Sequence, residues 1–398
     1  MHGTDDAQTI ELPWRTTVSA VAVCVAGGAM PSLQPLLLGA LADSGRISIA
    51  QIGEAATLEG LAMAVTTGFA GVLLTARSMR TLAVAAMIVA GVVNTLTPHM
   101  SGAAVLAMRA VNGVCSGIML WQMLQIIARI RVPGRIIAVV CVTQATVLSL
   151  LSLWMTTGLL PRYGATGAYL CLAGINLTLL AAAVGVPSDL PELPIQSRSR
   201  ARYRLPDWRG AAGLLLNLLQ FAGIMSLWVY LPAVAGAVGQ DSTSIHTAIT
   251  AGLSAQIVGG LLAVGLAPRL GPTAVLASCA AGSIAAIGVI MSAHSPPVLV
   301  AATVLFGFCW MFSFPFQAPL LILIDPSRAA VMLILSAQLF GVALGPIVAS
   351  RVGIAGTPWL SIVLYVLALA ALTVARLGPN SPRQVPAVAP AIDDRVHE

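Results

Sequence analysis

"AMRAVNGVCSGIML", residues 107–120, is an apolar run that carries one permanent charge, Arg109. The next charge downstream is Arg129, so the guanidinium sits in a stretch of the length and character that crosses a membrane. A charge there is expensive, and such residues mark substrate or ion pathways. Gly113 and Gly117, four apart, form a small-xxx-small pair that lets two helices approach closely. Reading the fold means asking whether the rest of the chain is a membrane protein and what partner the charge has.

The composition answers the first question. Of 398 residues, 58% are hydrophobic and 9% charged, and the mean hydropathy is +0.92. Soluble domains carry about 25% charged residues. The net charge of +6 comes with no lysine and does not suggest nucleic acid. The six cysteines all lie in apolar segments without metal-ligand or C-x-x-C spacing, so they read as packing residues. The histidines likewise lack ligand spacing; no metal or cofactor is expected. No phosphate-cradling loop is present, which argues against an ATP-driven pump. Asp5, Asp6 and Glu11 precede the first apolar stretch, which is too long for the core of a cleavable signal.

A spanning helix needs about 20 mostly apolar residues. Twelve candidates follow: 15–41, 51–74, 81–98, 102–128, 136–160, 166–186, 209–236, 243–267, 272–293, 297–324, 328–350 and 356–376. The expected organisation is a tail at 1–14, a six-helix bundle at 15–186, a basic proline-rich linker at 187–208, a second bundle at 209–376 and a tail at 377–398. With both termini in the cytoplasm, sixteen arginines fall inside and three (Arg46, Arg162, Arg351) outside, Arg109 being within a span. That asymmetry obeys the positive-inside rule. It predicts a multi-pass protein of a bacterial inner membrane, surrounded by lipid.

The halves echo each other. A shift of 192 pairs Gly60 with Gly252, Gly68 with Gly260, Arg77 with Arg269 and Thr81 with Thr273. A shift of 193 pairs Pro133 and Arg135 with Pro326 and Arg328, and a shift of 195 pairs His99 with His294. Parallel repeats of this kind are a transporter architecture, with the site between the halves.

On these residues the chain resembles the major facilitator superfamily over nearly its whole length. The family's fourth helix carries R-x-x-q-G-x-x-x-G, matched by Arg109, Asn112, Gly113 and Gly117. The family's loop between helices 2 and 3 reads G-x-x-x-D-R-x-G-R-R/K. Here "GVLLTARSMR" (71–80) keeps Gly71 and Arg80, with Thr75 in place of the acid and Arg77 nearby. The second-half copy "LAPRLGP" (266–272) keeps Arg269 and Gly271. The resemblance implies an all-α fold of two six-helix bundles, with Arg77, Arg80, Arg269 and Gly271 in gating loops. It implies a monomer that moves a small molecule by rocking around a midplane site. The fifth-helix motif of drug/proton antiporters and the P-E-S-P-R signature of sugar porters are both missing.

Glu59, in "ATLEGLAMAV", is the other charge deep inside a span, at a depth similar to Arg109, whereas Glu54, nearer the surface, is expected to be solvated. The two are expected to pair, with Glu59 taking up H⁺ and Arg109 tuning it or binding an anion; the bland alternative is a static pair that locks helices 2 and 4. Uncharged polar and aromatic residues fall on helices that line the cavity in the resembled family: Gln34, Asn112, Gln122, Gln144 and Trp154 in the first half, and Asn217, Gln220, Trp228, Gln256, Trp310, Phe314, Gln317 and Gln338 in the second. Amides facing lipid would go unsatisfied, so these should point inward. The expected function is proton-coupled uptake of a small organic solute, a carboxylate or an aromatic compound. Efflux by the same fold is the near rival. A membrane solute sensor or membrane-embedded enzyme is the distant one, each lacking the domain or the clustered His, Asp and Cys it would need.

Overall fold

The computed structural model describes residues 13–73, 78–127, 133–190, 206–267, 269–325 and 329–377. Every regular element among them is helical. The first half contains α1 (Trp14–Asp43), α2 (Ile49–Leu73), α3 (Met79–Leu96) and α4 (Ala103–Ile127). It continues with α5, which begins as Pro133–Trp154 and runs on through a π-helical turn, Met155–Leu159. The second half contains α7 (Trp208–Ala237), α8 (Ser242–Leu266), α9 (Pro272–Ile290) and α10 (Pro296–Ile324).

Two helical runs are too long for one crossing. Val139–Ala183 has 45 residues and Ile334–Arg376 has 43, against about 20 for a bilayer. Each is broken by one glycine outside the helical region, Gly164 (φ 56°, ψ −151°) and Gly353 (φ 75°, ψ 175°). Such angles are closed to residues with a Cβ and open to glycine. The breaks separate α5 from α6 (165–178) and α11 (334–352) from α12 (354–376). Around them the sequence repeats as R-x-G-x-x-G: Arg162, Gly164, Gly167 and Arg351, Gly353, Gly356, at a shift of 189. This is a further pair of repeat positions, and it marks where both halves turn back through the membrane.

The chain is therefore an integral membrane protein of twelve spans among the described residues, built as two six-helix bundles. The face carrying the α1–α2, α5–α6, α7–α8 and α11–α12 connections is called distal here, and the face nearer the termini proximal. α1 and α7 are innermost, with 83% and 78% of their apolar windows buried, against 39–50% for the other windows compared. They occupy equivalent places in the two halves.

Glycines set the tightest crossings. A Cβ on Gly113 would strike the Glu59 carbonyl, and one on Gly117 would strike Thr66 and Met63 of α2. In the second half a Cβ on Gly307 of α10 would strike Gly252 of α8. The α2–α4 contact thus recurs as α8–α10. Gly341 and Gly345 let α11 press on α7 at Leu218 and Ala222.

The halves join near the distal face. Thr57 of α2 donates to the Ala343 carbonyl of α11 at 2.8 Å. Ser152 of α5 and Thr250 of α8 share a hydrogen bond of 2.7 Å. Trp228 Nε1 of α7 donates to the Ser32 carbonyl of α1 at 3.0 Å. All the residues but Ala343, at the middle of α11, lie in the distal halves of their helices, so this conformation is closed toward the distal side.

Candidate functional site

Arg109 and Glu59 meet inside the first half. Glu59 lies ten residues into α2 and Arg109 six into α4, so at about 1.5 Å per residue both sit well below the distal ends. Neither side chain is exposed at all, and Arg109 Nη1 stands 4.0 Å from Glu59 Oε1. That is a contact at the outer limit of an ion pair, not a bidentate fork.

Each charge is held mainly by neutral groups. Asn112 Nδ2 donates to Glu59 Oε1 at 2.6 Å, and Gln34 Nε2 of α1 donates to Oε2 at 3.3 Å. Arg109 Nη2 donates to Asn94 Oδ1 at 3.0 Å and to Thr97 Oγ1 at 2.8 Å, both at the distal end of α3. The guanidinium also lies over the Tyr169 ring of α6, 5.2 Å from its centroid, a cation–π contact between two fully buried side chains. Arg109 Nε and Nη1 and Gln34 Oε1 are buried with no hydrogen-bond partner. Donors of the arginine and an acceptor of the glutamine are thus left in reserve beside the carboxylate.

The second half has a different interior. Gln338 Nε2 of α11 donates to Gln317 Oε1 at 2.6 Å. Gln317 Nε2 of α10 donates to Gln220 Oε1 at 3.4 Å, and Gln220 Nε2 of α7 donates to Ser313 Oγ at 2.8 Å. The Ser313 hydroxyl ends the chain on the Trp310 carbonyl at 2.8 Å. Two edge-to-face aromatic pairs flank it: Trp228 with Trp310 (centroids 5.8 Å, 74°) and Phe221 with Phe314 (6.3 Å, 70°). The three glutamines satisfy one another across three helices, which a buried amide in a membrane requires.

Other predicted residues are placed elsewhere. Gln122 Nε2 donates to the Met79 carbonyl at 2.8 Å and ties α4 to the start of α3. Gln144 of α5 packs its amide against Gly28 of α1. Asn217 donates within its own helix to the Gly213 carbonyl. Gln256 is buried, and its Nε2 has no partner. Trp154 is 55% exposed and lines an apolar groove of about 610 Å³ with Val18, Val21, Leu150 and Ile175, on the outward side of α1, α5 and α6. That position is apart from the inward-facing amides. Of the loop residues, Arg80 Nε donates to the Val186 carbonyl at 3.0 Å, within the first half. Gly271 caps the start of α9 and Arg269 is exposed just before it. Arg77 lies outside the described residues.

Asn94, Thr97 and Tyr169 were missed by sequence reasoning, which looked only at helices expected to line a cavity. The signal was available for Asn94, an amide inside "VAGVVNTLTPH" (89–99) that obeys the same inward-pointing logic.

No family model matches the chain, and no curated protein is similar to it in sequence. Solved structures do match. One is a single-site variant of the nucleoside transporter NupG, at a TM-score of 0.68 and 13% identity, covering 91% of this chain and 98% of that one. Another is the inward-open conformation of the xylose transporter XylE from E. coli, at 0.70 and 13%, covering 93% and 97%. At such identity the likeness establishes the fold, which is the twelve-helix major facilitator fold.

Proposed function

We propose that the chain is a secondary transporter that takes up a small organic solute together with a proton, by rocking its halves around a site between them. The observation that carries this is the buried Glu59–Arg109 site. A buried pair is a poor stabiliser, so its presence asks for another reason, and a carboxylate that changes protonation supplies one. The two solved structures of similar fold are, by their titles, a nucleoside transporter and a xylose transporter.

The geometry suits two protonation states. With Glu59 ionised, the amides of Asn112 and Gln34 donate to it and Arg109 balances its charge. When Glu59 binds a proton it becomes a donor. A half-turn of the Gln34 amide then presents its unpartnered Oε1 as the acceptor. Arg109, released from its partner, keeps Asn94, Thr97 and Tyr169 and has Nε and Nη1 to offer. Gln34 sits on α1, two residues from Ser32, whose carbonyl holds Trp228 of the other half. The protonation state is thereby linked to the surface where the halves meet.

On this reading the distal face is external, both termini are cytoplasmic, the membrane is a bacterial inner membrane, and the working unit is a monomer of two bundles joined by the 187–208 linker. The cargo is a carboxylate or an aromatic compound, with Trp310, Phe314 and the glutamine chain as its contacts and Arg109 acting through Glu59. The test is a proteoliposome assay with an imposed pH gradient across a panel of such solutes. Uptake that follows the gradient supports the reading. Extrusion against it would assign export instead, and indifference to it would remove the proton.

A further inference from the structure

A pocket of about 550 Å³ opens on the distal face, across the line where the halves meet. The first half contributes Asp43 and Ser44 at the end of α1, and Thr156 and Thr157 from the π-helical turn of α5. The second contributes Ser242, Thr243, His246 and Thr247 from the start of α8. Its apolar walls are Pro35, Pro161 and Pro232, among others. Single π-turns inside α-helices are frequent at functional sites.

The floor of this pocket is the seal between the halves. Thr156 is four residues on from Ser152, and His246 four residues before Thr250, so each lies one helical turn distal of the Ser152–Thr250 hydrogen bond. Thr156 Oγ1 donates to the Ser152 carbonyl at 2.9 Å, fixing the turn above the seal. The pocket is therefore the closed mouth of the α5–α8 gate, and its two walls belong to bodies that must part when that gate opens.

Its chemistry selects a ligand. Among the lining residues Asp43 is the only acid and His246 the only base. Asp43 also ends α1, where helix carbonyls add negative potential. Nearby Asp241 is committed as the cap of α8: it accepts from the Ser244 amide at 3.3 Å and from the Ser244 hydroxyl, contacts that hold its carboxyl below the usual range. The remaining polar groups are hydroxyls, arranged on both walls. We propose that this pocket binds a small hydroxylated organic cation, with Asp43 taking the charge and the threonines and serines of both halves taking the hydroxyls, and that occupancy clamps the distal gate shut. The clamp rests on the rocking reading above; the binding does not.

The full chain in nanodiscs, titrated calorimetrically with triethanolammonium chloride, tests it. Saturable binding is expected. Asp43→Asn should weaken it by about tenfold, the effect of one charge-assisted hydrogen bond, and Thr247→Val on the opposite wall should weaken it less. Tetramethylammonium, a cation without hydroxyls, and glycerol, hydroxyls without charge, should each bind more weakly than the probe. Absence of saturable binding, or binding unchanged in Asp43→Asn, overturns the site. Binding that leaves solute exchange in proteoliposomes as fast as before overturns the clamp.

Discussion

The two halves share a scaffold and differ in what they bury. Gly113 sits under the Glu59 carbonyl, and Gly307 sits under the Gly252 carbonyl, the same helix crossing made twice. Carried over on those anchors, Arg109 corresponds to Thr303, Asn112 to Phe306 and Glu59 to Gly252. The first half keeps a carboxylate and a guanidinium among amides. The second keeps a chain of glutamines and two aromatic pairs. At this crossing the packing is present in both copies, while the charged pair stands at the first-half positions alone. In our reading the first half reads the proton and the second reads the solute.

The largest effect should come from breaking the charged half. Arg109→Ala strands the Glu59 carboxylate without a counter-charge, which costs about 3–5 kcal/mol. Folded yield in detergent should fall sharply. Arg109→Lys keeps the charge but loses the planar group that stacks on Tyr169 and places Nη2 between Asn94 and Thr97; transport should be lost in this variant even where yield recovers. If Lys restores transport, a point charge is enough and the surrounding amides are incidental.

The shared scaffold predicts matched penalties. Gly113→Ala and Gly307→Ala each force a methyl into a backbone contact, at about 1–3 kcal/mol. Melting temperatures of the two variants should drop by similar amounts. A harmless Gly307→Ala would show that the second crossing is not the equivalent of the first.

Much of this was legible from residue types. A charge or an amide in a span has to be buried, so Arg109, Glu59, Asn112 and the glutamines were visible, and so was the number of spans. Which neighbour each amide found was not. In a membrane both faces of a helix are apolar, so the periodicity that orients helices in soluble proteins is weak. That is why Gln122 turned out to hold Met79, why Trp154 faces an outward groove, and why Asn94, Thr97 and Tyr169 around Arg109 were passed over. The turn at Gly164 and Gly353 was written in the sequence as a repeated R-x-G-x-x-G, but only the backbone angles drew attention to it.

Smaller effects sharpen the division of labour. Gln317→Leu leaves Gln338 and Gln220 each short of a partner, at about 1–3 kcal/mol per group. It should raise the KM for the solute and leave the pH profile of uptake in place, whereas Gln34→Met should shift the pH profile and leave exchange intact. Smallest of all, Ser152→Ala removes one hydrogen bond of the distal seal, about 0.5–1.5 kcal/mol. Labelling of a cysteine placed at Ser254, one turn proximal of Thr250, by an impermeant thiol reagent added from the distal side should rise modestly as the gate opens more often.

The central claim is that Glu59 and Arg109 form a switch and not a strut. Glu59→Gln and the Glu59→Gln/Arg109→Gln double variant should be purified, matched for folded protein, and assayed in proteoliposomes for both gradient-driven uptake and solute exchange. The account predicts that Glu59→Gln, fixed in the neutral state, exchanges solute but cannot concentrate it, and that the double variant does not regain concentrative uptake. Full gradient-driven uptake in the double variant would contradict it, because a static pair replaced by two neutral amides is expected to recover folding and transport together.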